Sequence, residues 1–126
     1  MTQTALLVIV HGSPREESND DVRRVLDHIR EGGKYDQVQA AFLDCNEPDI
    51  PTAVRQCVEA GARRIVCVPY FLHSGRHVAL DIPQILQQCA STFPHVEIFL
   101  SPLIGSSAVI SQILRYRARQ AVGFSG

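Results

Sequence analysis

The chain has 126 residues, 45% hydrophobic and 20% charged, a composition that excludes a disordered or fibrous protein and suits a single domain spanning residues 1–126. Twelve basic residues against thirteen acidic ones leave a formal charge of −1, so no general attraction draws the chain to nucleic acid or to an anionic membrane. No stretch approaches the roughly 20 apolar residues of a membrane span. The four cysteines (45, 57, 67 and 89) include no CxxC pair, and Cys57, Cys67 and Cys89 fall on apolar faces, where a thiol acts as a small hydrophobe.

In chain order, residues 5–10 are an unbroken apolar run ending at His11-Gly12, the pattern of a central strand buried on both faces. The run has no basic leader and no small-residue cleavage site, so the expected compartment is the cytoplasm. Ser18 and Asp21 read as a capping-box variant, and Val22, Val25, Leu26 and Ile29 repeat at helical spacing until Gly32-Gly33. Residues 37–43 predict a more peripheral strand. Ile50, Ala53, Val54, Cys57 and Val58 predict a second helix closed by Gly61. Residues 64–70 predict a third strand with Pro69 at its end.

A third helix is expected to begin near Asp81-Ile82-Pro83, with proline in its first turn. Val96–Leu100 predicts a fourth strand. Ser106 or Ser107 is then expected to cap a last helix that buries Val109, Ile113 and Leu114. Strands alternating with helices make the expected fold α/β: three layers, a mostly parallel four-stranded sheet flanked by helices.

In such sheets ligands gather beyond the carboxyl ends of the strands, near the point where strand order reverses. Two of the post-strand segments carry histidine there: His11 with Ser13 and Arg15, and His73, Arg76 and His77. Two neutral imidazoles facing one pocket suit a borderline divalent metal such as Fe²⁺, Co²⁺, Ni²⁺ or Zn²⁺. A site with two or three protein ligands keeps open positions, as transfer or catalysis requires. The bland alternative for His11 is a hydrogen bond to a loop carbonyl. His73 is a spare ligand, while His28 and His95 lie on the solvent side or at the opposite edge.

Three stretches then stand together: Val10-His11-Gly12-Ser13, the run from Ala41 through Asp44-Cys45-Asn46-Glu47-Pro48 to Ile50, and the run from Pro69-Tyr70-Phe71-Leu72 through Gly75 and His77 to Asp81-Ile82-Pro83. In these the chain resembles the short sirohydrochlorin chelatases, CbiX or SirB, over essentially its whole length. The resemblance implies a chelatase-like fold and insertion of Co²⁺ or Fe²⁺, with Ni²⁺ a further option, into sirohydrochlorin, on the route to cobalamin or sirohaem. The metal is a substrate, and no organic cofactor is expected. The family's two metal-holding histidines map onto His11 and His77.

The family's glutamate after the second strand maps onto Asp44, one methylene shorter, which makes Glu47 the runner-up as proton acceptor. Ser106 stands where many members carry histidine. Sirohydrochlorin bears eight carboxylates, so Arg15 and Arg76 are candidate contacts at the mouth, with Ser13 beside them. Longer relatives hold two such domains around a shared cleft, which implies that this chain pairs with a copy of itself. Two rivals differ in class: a metal or tetrapyrrole carrier without turnover, and phosphoryl chemistry on His11. Glu16, Glu17, Asp20 and Asp21 crowd the helix start that would have to receive the phosphate.

Overall fold

The first apolar run becomes β1 (Thr4–Val10), every residue of which is buried except Thr4 at its start. The structure, a computed structural model, describes residues 3–73 and 75–123, without the side chain of His77. After β1 follow α1 (Glu16–Glu31), β2 (Gln37–Phe42), α2 (Ile50–Glu59), β3 (Arg64–Pro69), α3 (Arg76–Thr92), β4 (Glu97–Leu100), a 3₁₀ turn (Ile104–Ser106) and α4 (Val109–Ala121). The four strands form one sheet in the order β2-β1-β3-β4. All three pairings are parallel, with Ala5 opposite both Gln37 and Ile65, and Arg64 opposite Glu97.

Because successive side chains of a strand point to opposite faces, β1 supplies two cores at once. Leu6, Val8 and Val10 pack with Val22 and Leu26 of α1. Ala5, Leu7 and Ile9 pack with Ile50, Val54 and Cys57 of α2 and with Ile82 and Leu86 of α3. Leu7 and Ile9 are fully buried, and each such side chain stabilises the fold by about 1.5–3 kcal/mol. Burial raises the Cys57 thiol to about 11; it also raises Cys67 to about 12, with neighbouring Cys57 and Cys89 adding to the effect. These thiols are core hydrophobes, as their spacing predicts.

Three local expectations are corrected. α1 begins at Glu16, after Arg15, with no side-chain cap; Ser18 lies within its first turn, and Glu16 and Glu17 offset the positive end of the helix dipole in place of a cap. α3 begins at Arg76, not near Asp81, so Pro83 sits inside the helix. Its first turn is already closed by the bond from Ala79 N–H to Gly75 O at 3.1 Å, and Ile82, Leu86 and Cys89 anchor the residues on both sides of the proline. Pro83 therefore removes one helical hydrogen bond without ending the helix.

The third correction concerns α4, in which no residue is buried. Val109, Ile113 and Leu114, expected in the core, are 55%, 49% and 64% exposed. Neither Ser106 nor Ser107 is the N-cap residue, which is Ala108, although Ser107 Oγ accepts from Val109 N–H at 3.2 Å. An amphipathic stripe says that a face needs covering, not which surface covers it.

Candidate functional site

The chain steps from β1 to β2 on one side and then to β3 on the other, so strand order reverses at β1. That is where open α/β sheets bind ligands. A cavity of about 350 Å³ lies at this edge, and its lining includes His11, Asp44, Val78, Asp81, Gln84 and Gln88.

The loop after β1 is held against the loop after β2 by backbone. Gly12 has φ +97°, and a Cβ there would stand 2.0 Å from the carbonyl oxygen of Asp44. Only glycine fits so close a crossing at positive φ. Asp44 N–H donates to His11 O at 2.9 Å, and Ser13 N–H donates to Asn46 Oδ1 at 2.8 Å. Asn19, 2% exposed, donates from Nδ2 to Ser13 O at 3.2 Å. Cys45 N–H donates to Asp44 Oδ1 at 2.8 Å, which fixes the carboxylate at the cavity wall. His11 is exposed, its Nδ1 3.4 Å from Gly12 O.

Of the residues expected from sequence, His11 and Asp44 therefore share one cavity. His77 falls in the first turn of α3, next to the cavity-lining Val78; its side chain lies outside the described residues. Glu47 lines a neighbouring cavity of about 730 Å³, together with Asp44, Asn46 and Asp49. Ser13 is half-buried and serves the loop, its Oγ accepting from Arg15 N–H at 3.1 Å. Arg15 and Arg76 are exposed at the starts of α1 and α3, and Arg15 Nε stands 4.0 Å from a Glu17 carboxylate oxygen. His73 is exposed on the loop after β3.

Sequence reasoning assigned no role to Asn19, Asn46 or Asp81. Asn19 had a legible signal: it continues the α1 stripe of Val22 and Leu26, where a polar residue must find a buried partner. Asn46 and Asp81 lay inside the quoted runs, yet spacing alone could not show that one clamps the β1 loop and the other faces the cavity. Among the described residues no three His, Cys, Asp or Glu side chains are close enough to hold a metal ion, so these residues build no closed structural metal site. What they offer is an exposed imidazole beside a fixed carboxylate, able to bind a cation with open positions and to accept a proton.

Comparison with known proteins gives the same direction. Residues 5–121 match the family model CbiX. The chain is 40% identical over 82 residues to a sirohydrochlorin cobaltochelatase of Methanococcus aeolicus, covering 65% of this chain and 57% of that protein. It is 31% identical over 121 residues to the sirohydrochlorin cobaltochelatase of Sulfolobus acidocaldarius, covering 96% and 94% of the two chains. The crystal structure of the sirohydrochlorin chelatase SirB from Bacillus subtilis in complex with cobalt superposes with a TM-score of 0.84 at 26% identity, over 94% of this chain and 51% of that one. The match thus spans little more than half the length of several of these proteins. With a family match over residues 5–121 and a superposition over most of its length, the chain belongs to the CbiX family.

Proposed function

We propose that this protein is a sirohydrochlorin chelatase, inserting Co²⁺ or Fe²⁺ into the tetrapyrrole. The observation that carries the reading is the meeting of His11 and Asp44 in one open cavity at the point where strand order reverses. The relatives named as cobaltochelatases, and that named as a chloroplastic ferrochelatase, support the substrate class.

Metallation removes water from the cation and exchanges the two pyrrole N–H protons for the metal, releasing two protons per insertion. Neutral imidazole is a suitable donor for Co²⁺ or Fe²⁺. In this reading the His11 ring takes the cation from water, with His77 as second ligand, and the Asp44 carboxylate receives pyrrole protons and passes them to solvent. Glu47 opens on the adjoining cavity, so it is the less favoured acceptor. Arg15 and Arg76 meet the substrate's carboxylates at the rim, and Ser13 supports the β1 loop beside them. The whole is one domain and works in the cytoplasm; no helix among the described residues is long and apolar enough to cross a membrane.

The working unit is a homodimer. The open stripe of α4 and the half-exposed Phe99 and Leu100 of β4 are apolar surface at one end of the sheet, and a second copy covers it. The comparable length of the Sulfolobus relative and the roughly double length of SirB support a unit of two such chains.

The test is the absorbance change of sirohydrochlorin with Co²⁺ or Fe²⁺, with and without protein. Wild type should accelerate insertion over metal alone, and His11→Ala should lose about 100-fold or more of that rate while keeping its fold. A rate no faster than metal alone makes the protein a carrier rather than an enzyme. His11→Ala at full rate removes His11 from the site.

A further inference from the structure

The His11 cavity has a second carboxylate that the chemistry above does not use. Asp81 lies on α3, on the wall contributed by Val78, Gln84 and Gln88, while Asp44 comes from the loop after β2. At about 30 Å³ per water, a space of about 350 Å³ holds on the order of ten waters. That is room for a divalent cation with its hydration shell. The described lining carries one imidazole, two carboxylates and two carboxamides, with no lysine or arginine among them. Since His11, Asp44 and Asp81 are too far apart to ligate one ion together, Asp81 acts across water and not as a direct partner of His11.

We propose that Asp81 collects the hydrated divalent cation into the cavity and holds it through its water shell, from where His11 strips it. The inference rests on the chelatase reading for its biological sense, but the binding step can be measured without the tetrapyrrole. Across an intervening water shell, a separation on the order of 6 Å, Coulomb attraction between a carboxylate and a divalent cation at the dielectric of water is worth roughly tenfold in affinity. The same attraction is screened by salt. The carboxamides of Gln84 and Gln88 can donate to and accept from the shell waters without adding charge.

The experiment is calorimetric titration of the protein with Co²⁺ alone, at low and high NaCl. Asp81→Asn should weaken Co²⁺ binding about tenfold and flatten its salt dependence. Asp81→Glu should keep wild-type affinity, and Asp81→Asn/Gln84→Glu should recover most of it, because the charge returns to the same cavity. In the insertion assay Asp81→Asn should raise KM for Co²⁺ by the same factor and leave KM for sirohydrochlorin within twofold.

Unchanged Co²⁺ affinity in Asp81→Asn would overturn the proposal, and so would a loss that neither charge-restoring variant repairs, since that marks a structural role. If wild type binds Co²⁺ through Asp81 but inserts nothing, the chelatase reading fails while this one stands. Insertion that proceeds with Asp81→Asn at wild-type KM for Co²⁺ has the reverse meaning.

Discussion

β1 and the β4–α4 end of the chain both carry large aliphatic and aromatic side chains, yet Leu7 and Ile9 are fully buried while Phe99 is 47% and Leu114 64% exposed. The difference lies in position. β1 has a strand on each side and helices on both faces, so every residue it offers meets a partner within the chain. β4 is four residues long and ends the sheet, and α4 rests chiefly on the 3₁₀ turn before it. Apolar sequence therefore builds a core only where topology surrounds it; elsewhere it leaves an exposed apolar surface.

The contrast can be tested first by chemistry that is nearly all-or-none. Cys45 is exposed, whereas Cys57, Cys67 and Cys89 are buried, with burial pushing Cys57 to about 11 and Cys67 to about 12. At pH 8 a thiol reagent should modify one cysteine per native chain and four after denaturation. Rapid modification of two or more native thiols would mean that the central layers open easily.

Paired truncations come next. Leu7→Ala should cost about 3 kcal/mol in urea unfolding, and Leu114→Ala less than about 0.5 kcal/mol at concentrations where the chain is monomeric. Equal costs would break the comparison, placing Leu114 in a core after all. The open end is probed separately by Ile113→Asp with Leu114→Asp: sedimentation should show dimer association weakened at least tenfold, with circular dichroism unchanged. A wild type that stays monomeric at 100 micromolar would remove the second copy as the cover for α4.

The smallest effect belongs to a cap on the packed side. Asp49 Oδ1 accepts from Thr52 N–H at 2.9 Å at the start of α2, and this hydrogen bonding holds the Asp49 carboxyl below its ordinary value. A carboxylate lowered by folding contributes stability above its unfolded value, near 3.9, that is lost as pH falls through the folded one. Asp49→Ala should cost about 1 kcal/mol at pH 7, and the gap to wild type should close below pH 4. A gap that persists at pH 2.5 would assign the loss to packing rather than to the charged cap.

Much of the site was legible because it follows strand ends, and strand ends follow apolar runs. His11 comes straight after a six-residue apolar run and Asp44 after a second one, so both could be assigned to the carboxyl edge from pattern alone. Asp81 was not legible in the same way. The proline two residues later suggested a helix start, and a residue at a helix start has no defined face; once α3 begins at Arg76, Asp81 lies in its second turn and faces the cavity. Asn46 was hidden for a different reason, since its partner, the Ser13 amide, is distant in sequence.

What the sequence determined by itself was periodicity: which stretches are strands and helices, that β1 is buried on both faces, and that α4 has an apolar stripe. Those properties are local, fixed by how often a side chain returns to the same side of a strand or helix. The tertiary structure decided which stripes find partners, because contact between distant segments depends on strand order and chain direction. It decided too that Gly12 must cross the Asp44 carbonyl, bringing His11 and Asp44 to one cavity and leaving α4 uncovered.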